Sequence, residues 1–262
     1  MEKSIVEFLS CPVCSGDLKS EENSGPEGKM TYQFQCTSCG VNYGSGEGYP
    51  DFLGEKGLEY SGSRERIVRS VYAKVYKPVT NFMYLFCGGT KSARNEVLSN
   101  LDLKDGSTVL ETGMGYGDNF LWMSEKAKNL RFFGVDIQKQ MMLSCMHNLS
   151  RWKISAEIVR ADAQNLPFRN EVFDVVFHLG AINLFPDKGK AIGEMIRVAK
   201  PGTRIVIADE TEKAGKLFRI FTGSNERNDP PLEFVPDTML DVSLKIIWRG
   251  YGYLITFTKP GQ

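Results

Sequence analysis

Three groups of residues in this chain have the types and spacing to do chemistry: two cysteine pairs near the start, glycines and carboxylates between residues 111 and 162, and a histidine at 178. The stretch from Val109 to Asn119 reads Val-Leu-Glu-Thr-Gly-Met-Gly-Tyr-Gly-Asp-Asn, a strand ending in a glycine-rich turn that opens a helix. Residues without a Cβ let backbone N–H groups approach a ligand, and the helix start adds its positive dipole end, so the turn suits a nucleotide. A dinucleotide fingerprint needs G-x-G-x-x-G, but Asp118 stands where the third glycine would be. The spacing is instead Glu111-x-Gly113-x-Gly115-x-Gly117.

The next strand, over Leu130–Val135, ends at Asp136. A carboxylate there can accept both ribose hydroxyls of a nucleoside lying over the first loop, and it equally fits as the cap of the helix that follows. Phe173–His178 reads as a buried strand that delivers His178, Leu179 and Gly180 to the ligand edge of the sheet. His178 there is placed to act as a general base, or to line the cofactor without taking a proton. His147, on a methionine-rich helix, is a surface residue in this reading, and Cys145 belongs to the apolar stripe Met141, Met142, Cys145, Met146 and Leu149.

Cys11-Pro-Val-Cys14 and Cys36-Thr-Ser-Cys39 are 21 residues apart, with Gly16 and Gly40 close behind each pair. Two such knuckles aim four thiolates at one point, a tetrahedral set that suits Zn²⁺; a redox dithiol and cysteines buried without metal are the other readings. Ser20–Lys29 reads as a polar hairpin tip and Met30–Gln35 as a strand, so residues 1–56 are expected to form a zinc ribbon whose folding rests on the ion. Four thiolates close the shell, which makes the zinc structural. Its chelation is expected to unfold residues 1–56 and to spare the rest.

Several of these segments resemble a known family. Glu111-x-Gly113-x-Gly115-x-Gly117 looks like the first motif of class I S-adenosylmethionine (SAM) methyltransferases. Ala161-Asp162-Ala163-Gln164-Asn165-Leu166-Pro167-Phe168 is similar to the A-D-A-x-x-L-P-F signature of that superfamily, and Arg197-Val198-Ala199-Lys200-Pro201-Gly202 to its R-V-L-K-P-G turn. The resemblance covers about residues 65–210 and implies that Glu111, Gly113, Met114, Gly115, Gly117, Asn119, Asp136, Ile137, Met141, Asp162, Ala163, His178 and Leu179 hold SAM, with Asp162 accepting the adenine amino group. Val71–Tyr76 and Asn95–Leu98 resemble the segment before the SAM motif in quinone-biosynthesis C-methyltransferases, which implies that Tyr72 or Tyr76 faces the active site; Tyr72 joins His178 as a candidate catalytic residue. Cys36–Leu53 resembles the zinc-ribbon partner of tRNA and protein methyltransferases and the zinc domain of guanine-methylating ribosomal RNA methyltransferases, although the latter use a histidine where this chain has Cys39.

The elements that must position these residues follow. The fold class expected is α/β: a seven-stranded Rossmann-like methyltransferase sheet with a C-terminal antiparallel hairpin from Leu244–Trp248 and Tyr253–Thr258, plus a small N-terminal zinc ribbon. The domains expected are the ribbon over 1–56, a helical linker and cap over 57–105, and the SAM-dependent methyltransferase domain over 106–262. Helices are expected from about Lys91 to Asn100 and from Asp118 to Lys128, and Gly223–Pro236 as a loop on the substrate side.

Lys+Arg and Asp+Glu are equal at 32 each, so no global charge points to nucleic acid. No apolar run approaches the roughly 20 residues of a membrane span, and Met1–Ser10 lacks a signal-peptide core, so the expected location is the cytoplasm. The function expected is methyl transfer from SAM to a small-molecule acceptor, quinone-like, lipid-like or aromatic. A zinc-ribbon RNA methyltransferase, with RNA as partner, is the alternative, and a non-catalytic SAM-binding scaffold is the third reading.

Overall fold

After residue 106, short runs of buried β-branched and aromatic residues alternate with amphipathic helices, the pattern of a parallel sheet covered on both faces. The computed structural model describes residues 5–24, 30–45, 47–53, 84, 88–215 and 228–261. Strands β1 (Leu18–Ser24), β2 (Met30–Cys36), β3 (Asn42–Ser45) and β4 (Pro50–Asp51) belong to the N-terminal module, and helix α1 (Thr90–Leu98) follows. Then come β5 (Thr108–Thr112), α2 (Asp118–Ser124), β6 (Arg131–Asp136), α3 (Lys139–Trp152), β7 (Ala156–Arg160), β8 (Val175–Leu179), α4 (Lys188–Val198), β9 (Arg204–Glu210), β10 (Leu240–Ile247) and β11 (Gly252–Thr258).

The main sheet runs β7-β6-β5-β8-β9-β11-β10. The first five strands are parallel, and the β10–β11 hairpin adds antiparallel to β9, as expected from the sequence. All five residues of β5 and of β8 are buried. The order reverses between β5 and β8, where an open α/β sheet binds its ligand at the carboxyl ends of the strands.

The N-terminal module does not stand apart from this sheet. Its strands continue it, in the order β1-β2-β3-β4-β7, giving eleven strands in all. Parallel pairing of Asp51 with Arg160 makes the join, and Leu9 bridges Phe168 on a second side. Leu9, Cys11, Phe34 and Phe52 share one core with Phe133, Phe168 and Phe173, and the Phe8 ring lies 4.6 Å from that of Phe133.

Several boundaries differ from the sequence reading. Ser20–Ser24, expected in a hairpin tip, continues β1, because cross-strand pairing from Leu18↔Cys36 to Ser24↔Met30 overrides the low strand propensity of a polar run. Helix α2 stops at Ser124, and β10 begins at Leu240, four residues before its expected start. Tyr72, Tyr76, Cys87 and most of the cap over 57–105 lie outside the described residues, as do residues 223–227 of the expected loop over 223–236. Among the described residues, no helix is long and apolar enough to cross a membrane.

Candidate active site and metal centre

Strands β5, β6 and β7 each carry a carboxylate near their end or lead straight to one, and the three acids meet at a single cleft. Glu111 comes from β5, Asp136 ends β6, and Asp162 follows β7. The cleft is also lined by Gly113, Met114, Gly115, Asn119, Ile137, Met141, Ala163 and Leu179, so eleven of the thirteen residues assigned to the cofactor come together there. Gly115 has φ 54°, a left-handed backbone, and a Cβ built on it would meet nothing within 4 Å. That leaves its backbone open for close approach by a ligand.

Gly117 and His178 are the two that do not line the cleft. Gly117 caps α2 at φ 72°, and a Cβ there would stand 2.7 Å from Cys145 Sγ, so this glycine serves the turn and the approach of α3. His178 is fully buried beneath the loop, its Nδ1 3.2 Å from Thr112 Oγ1 and its ring edge-on to Phe185. Burial lowers its pKa, so the imidazole is neutral. His178 thus lies in the packed layer under Gly113 and not along the cleft, because a strand alternates its side chains.

The acids are held by hydrogen bonds from the backbone and from neighbouring amides. Asp136 accepts the N–H of Gly115 at 3.0 Å and of Gln138 at 2.8 Å, which locks both oxygens and ties the first loop to the second. Burial raises its pKa to about 6. Asp162 accepts the Gln164 backbone N–H at 2.9 Å and is chelated by the Gln164 side-chain amide. Glu111 Oε1 accepts a bond from the Asn119 amide, Oε2 has no partner among the described residues, and burial raises its pKa to about 8. Asn119 Oδ1 in turn accepts from Arg94 of α1, whose Nε is also buried without a partner.

Arg94, Tyr84, Tyr116, Gln138, Gln164 and the Leu184–Pro186 run line the cleft too, and sequence reasoning missed them. For Arg94 no motif announced it: its place comes from α1 docking on the C-terminal hairpin, where Trp248 Nε1 donates to the Ala93 carbonyl at 3.0 Å and Tyr84 packs edge-on against Trp248.

The four cysteines of the knuckles converge, with their Sγ atoms all within 4.8 Å of one another. Cys11 and Cys39 are 3.7 Å apart, and Cys14 and Cys36 3.4 Å. A Zn–S bond of about 2.3 Å in a tetrahedron needs edges of about 3.8 Å, so the donor set fits the ion closely. Cys36 Sγ accepts the Cys39 N–H at 3.4 Å, which lowers that thiol to about 6 and favours the thiolate a metal requires. The Tyr43 hydroxyl, 3.1 Å from Cys11 Sγ, supplies a donor from outside the ligand set.

Comparison with known proteins agrees with this geometry. Residues 109–202 match the methyltransferase domain family. The chain is 32% identical over 106 residues to a phthiotriol/phenolphthiotriol dimycocerosates methyltransferase of Mycobacterium leprae, covering 40% of this chain and 38% of that one. It is 27% identical over 161 residues to the demethylmenaquinone methyltransferase of Shouchella clausii, covering 60% and 68%. The chain thus spans about two fifths of the length of the mycobacterial relative.

Among solved structures, a complex between the Haloferax volcanii Trm112 methyltransferase activator and a methyltransferase gives a TM-score of 0.58 at 16% identity, covering 72% of this chain and 96% of the other. A Haemonchus contortus phosphoethanolamine N-methyltransferase 2 in complex with SAM gives 0.58 at 16% identity, covering 74% and 60%. The [4+2]-cyclase SpnF gives 0.60 at 15%, covering 76% and 97%, so the fold by itself also hosts other chemistry. Residues 109–202 therefore match the methyltransferase domain family, and the fold that carries them is shared with a solved SAM-bound methyltransferase.

Proposed function

We propose that this protein transfers the methyl group of SAM to a small-molecule acceptor of quinone-like, lipid-like or aromatic character, in the cytoplasm, with zinc as a structural ion in the ribbon. The observation that carries the reading is the convergence of Glu111, Asp136 and Asp162 on one cleft inside a segment that matches the methyltransferase domain family. When bound, SAM supplies a methyl group already activated by its sulfonium.

The chain's own residues then have to bind, orient and exclude water. In this reading Asp136 accepts the ribose hydroxyls and Asp162 the adenine amino group, and their position on one cleft with Ile137, Met141 and Ala163 supports it. The unpartnered oxygen of Glu111 and the unpartnered Nε of Arg94 suit the ammonium and carboxylate of an amino-acid head. Leu184, Phe185, Pro186 and Tyr84 leave an apolar wall that suits an aromatic or lipid-like acceptor. The reaction then needs orientation more than a dedicated base, since His178 is kept neutral and away from the cleft.

The proposed division is a ribbon over 1–56, a cap over 57–105 and a catalytic domain over 106–262. Relatives named for a dimycocerosate lipid and for demethylmenaquinone support the acceptor class. The test is transfer of labelled methyl from SAM to quinols, phenols, amine-headgroup lipids and RNA, each in a separate reaction. Label in an organic-extractable acceptor is expected. Label in RNA alone would establish the RNA methyltransferase instead, and tight SAM binding with no transfer in any arm would leave a SAM-binding scaffold.

A further inference from the structure

The segment between β7 and β8 that carries Asp162, Ala163 and Gln164 is gripped at both ends by the N-terminal module. At its start, the Phe52 N–H donates to the Arg160 carbonyl at 2.9 Å, and the Arg160 guanidinium pairs with Asp51 at 2.7 Å. At its end, Ser10 donates to the Pro167 carbonyl at 3.0 Å, Arg169 donates its backbone N–H to the Phe8 carbonyl at 2.8 Å, and the Arg169 side chain pairs with Asp17. Arg160 also reaches the neighbouring loop, where its Nε donates to the Ile137 carbonyl at 3.1 Å. One buried guanidinium therefore joins the ribbon to both loops that flank the adenine end of the cleft.

We infer that Arg160, held by Asp51 of the ribbon, is a positioning residue for SAM, and that the ribbon acts as a built-in clamp on the adenine and ribose end of the cleft. The inference rests on the SAM reading of that cleft. A folding accessory would need only to cover the sheet edge. This module instead directs its backbone contacts and the Asp17 and Asp51 ion pairs at residues 160–169, reaches Ile137 through Arg160, and pairs Glu47 with Lys139 beside it at 2.9 Å. A buried guanidinium that loses its carboxylate cannot stay in place at low cost, so it would leave Ile137 as well.

The test compares the zinc-loaded wild-type chain with Asp51→Asn and Arg160→Lys, each checked for full zinc content. Arg160→Lys keeps a charge for Asp51 but has no Nε donor for Ile137. Affinities are measured for S-adenosylhomocysteine and for 5′-methylthioadenosine, which keeps adenine and ribose but lacks the amino-acid head. Amide exchange is followed over 137–140 and 161–166.

Both variants are expected to bind both probes at least about tenfold more weakly, with faster exchange confined to those two loops. Asp51→Glu is expected to recover most of the loss. Affinities within twofold of wild type, or a loss for S-adenosylhomocysteine that 5′-methylthioadenosine does not share, would overturn the clamp. A wild-type chain that binds neither probe would overturn the SAM reading instead. The exchange comparison would then still decide whether Asp51 holds the two loops: unchanged exchange would overturn the clamp and accelerated exchange would support it.

Discussion

The two ends of this molecule hold their shape by different means. The methyltransferase sheet is packed from continuous apolar strands, with Phe120, Phe133, Phe168, Phe173, Phe177 and Phe257 fully buried. The ribbon buries fewer large side chains, among them Leu9, Phe34, Tyr43, Tyr49 and Phe52, and gathers four thiolates at one point. Burial works over the whole domain, whereas the proposed zinc ion would supply its folding free energy at one point. Yet the ribbon's strands run on into the sheet and its Leu9, Phe34 and Phe52 belong to the sheet's core. A module proposed to draw on its own metal is thus built into the sheet beside it, and damage to it should travel.

The sharpest break in the comparison comes from the sheet side. Gly115→Val places a β-branched residue at φ 54° and a side chain toward the cleft, and is expected to abolish SAM binding while zinc content stays at one ion per chain. Calorimetry with metal analysis reads both. Loss of zinc along with the ligand would mean that the strain spreads into the ribbon.

Next in size is removal of the metal. The sequence alone predicts that chelation spares the catalytic domain; the shared sheet and core change that expectation. Cys36→Ser is expected to lower the melting temperature of the whole chain by several degrees, about 4 °C per kcal/mol lost in a domain of this size or somewhat less. A calorimetric trace with an unshifted main transition and a separate small one would restore two independent domains.

Smaller effects test the electrostatics of the cleft. Burial raises Glu111 to about 8, above the usual 4.5, so the ligand-free fold carries a protonated acid that the unfolded chain has already ionised. The ligand-free fold therefore loses stability as pH rises from about 4.5 toward 8. A cationic ligand head pulls the pKa back down, so SAM binding near pH 7 should release a proton and tighten as pH rises. Titrations in buffers of different ionisation enthalpy measure this, and no net proton release with Glu111 intact would reject the pairing.

Smallest is His178. Its folded pKa lies below 6.5, so its contribution to stability is present above that value and falls as pH drops through it, while no step of transfer titrates with it. His178→Gln should leave the pH–rate profile unchanged in shape. A lost limb between pH 5 and 7 would return the histidine to catalysis.

Much of the site could be read from the chain because its residues are local in sequence. The glycine turn, the acid that ends β6 and the Ala161–Phe168 run each follow a strand directly, and strand ends in a parallel sheet share one edge. Legibility failed where placement depends on packing between distant segments. Arg94 reaches the cleft because Trp248, far along the chain, fixes α1. The face that His178 takes was not legible, because alternation along β8 decides it and a fully buried strand gives no polar partner to reveal the register. The continuity of ribbon and sheet rests on β4, a strand of two residues that no periodicity could announce.

The central claim is that the cleft at Glu111, Asp136 and Asp162 is a SAM site. Calorimetric titration of the zinc-loaded chain and of Asp136→Ala with S-adenosylhomocysteine tests it most directly. One site per chain is predicted for the wild type, with binding weakened at least about a hundredfold in the variant, because two bonds to a buried carboxylate are lost together. Binding that Asp136→Ala leaves unchanged, or no binding by the wild-type chain, would contradict it.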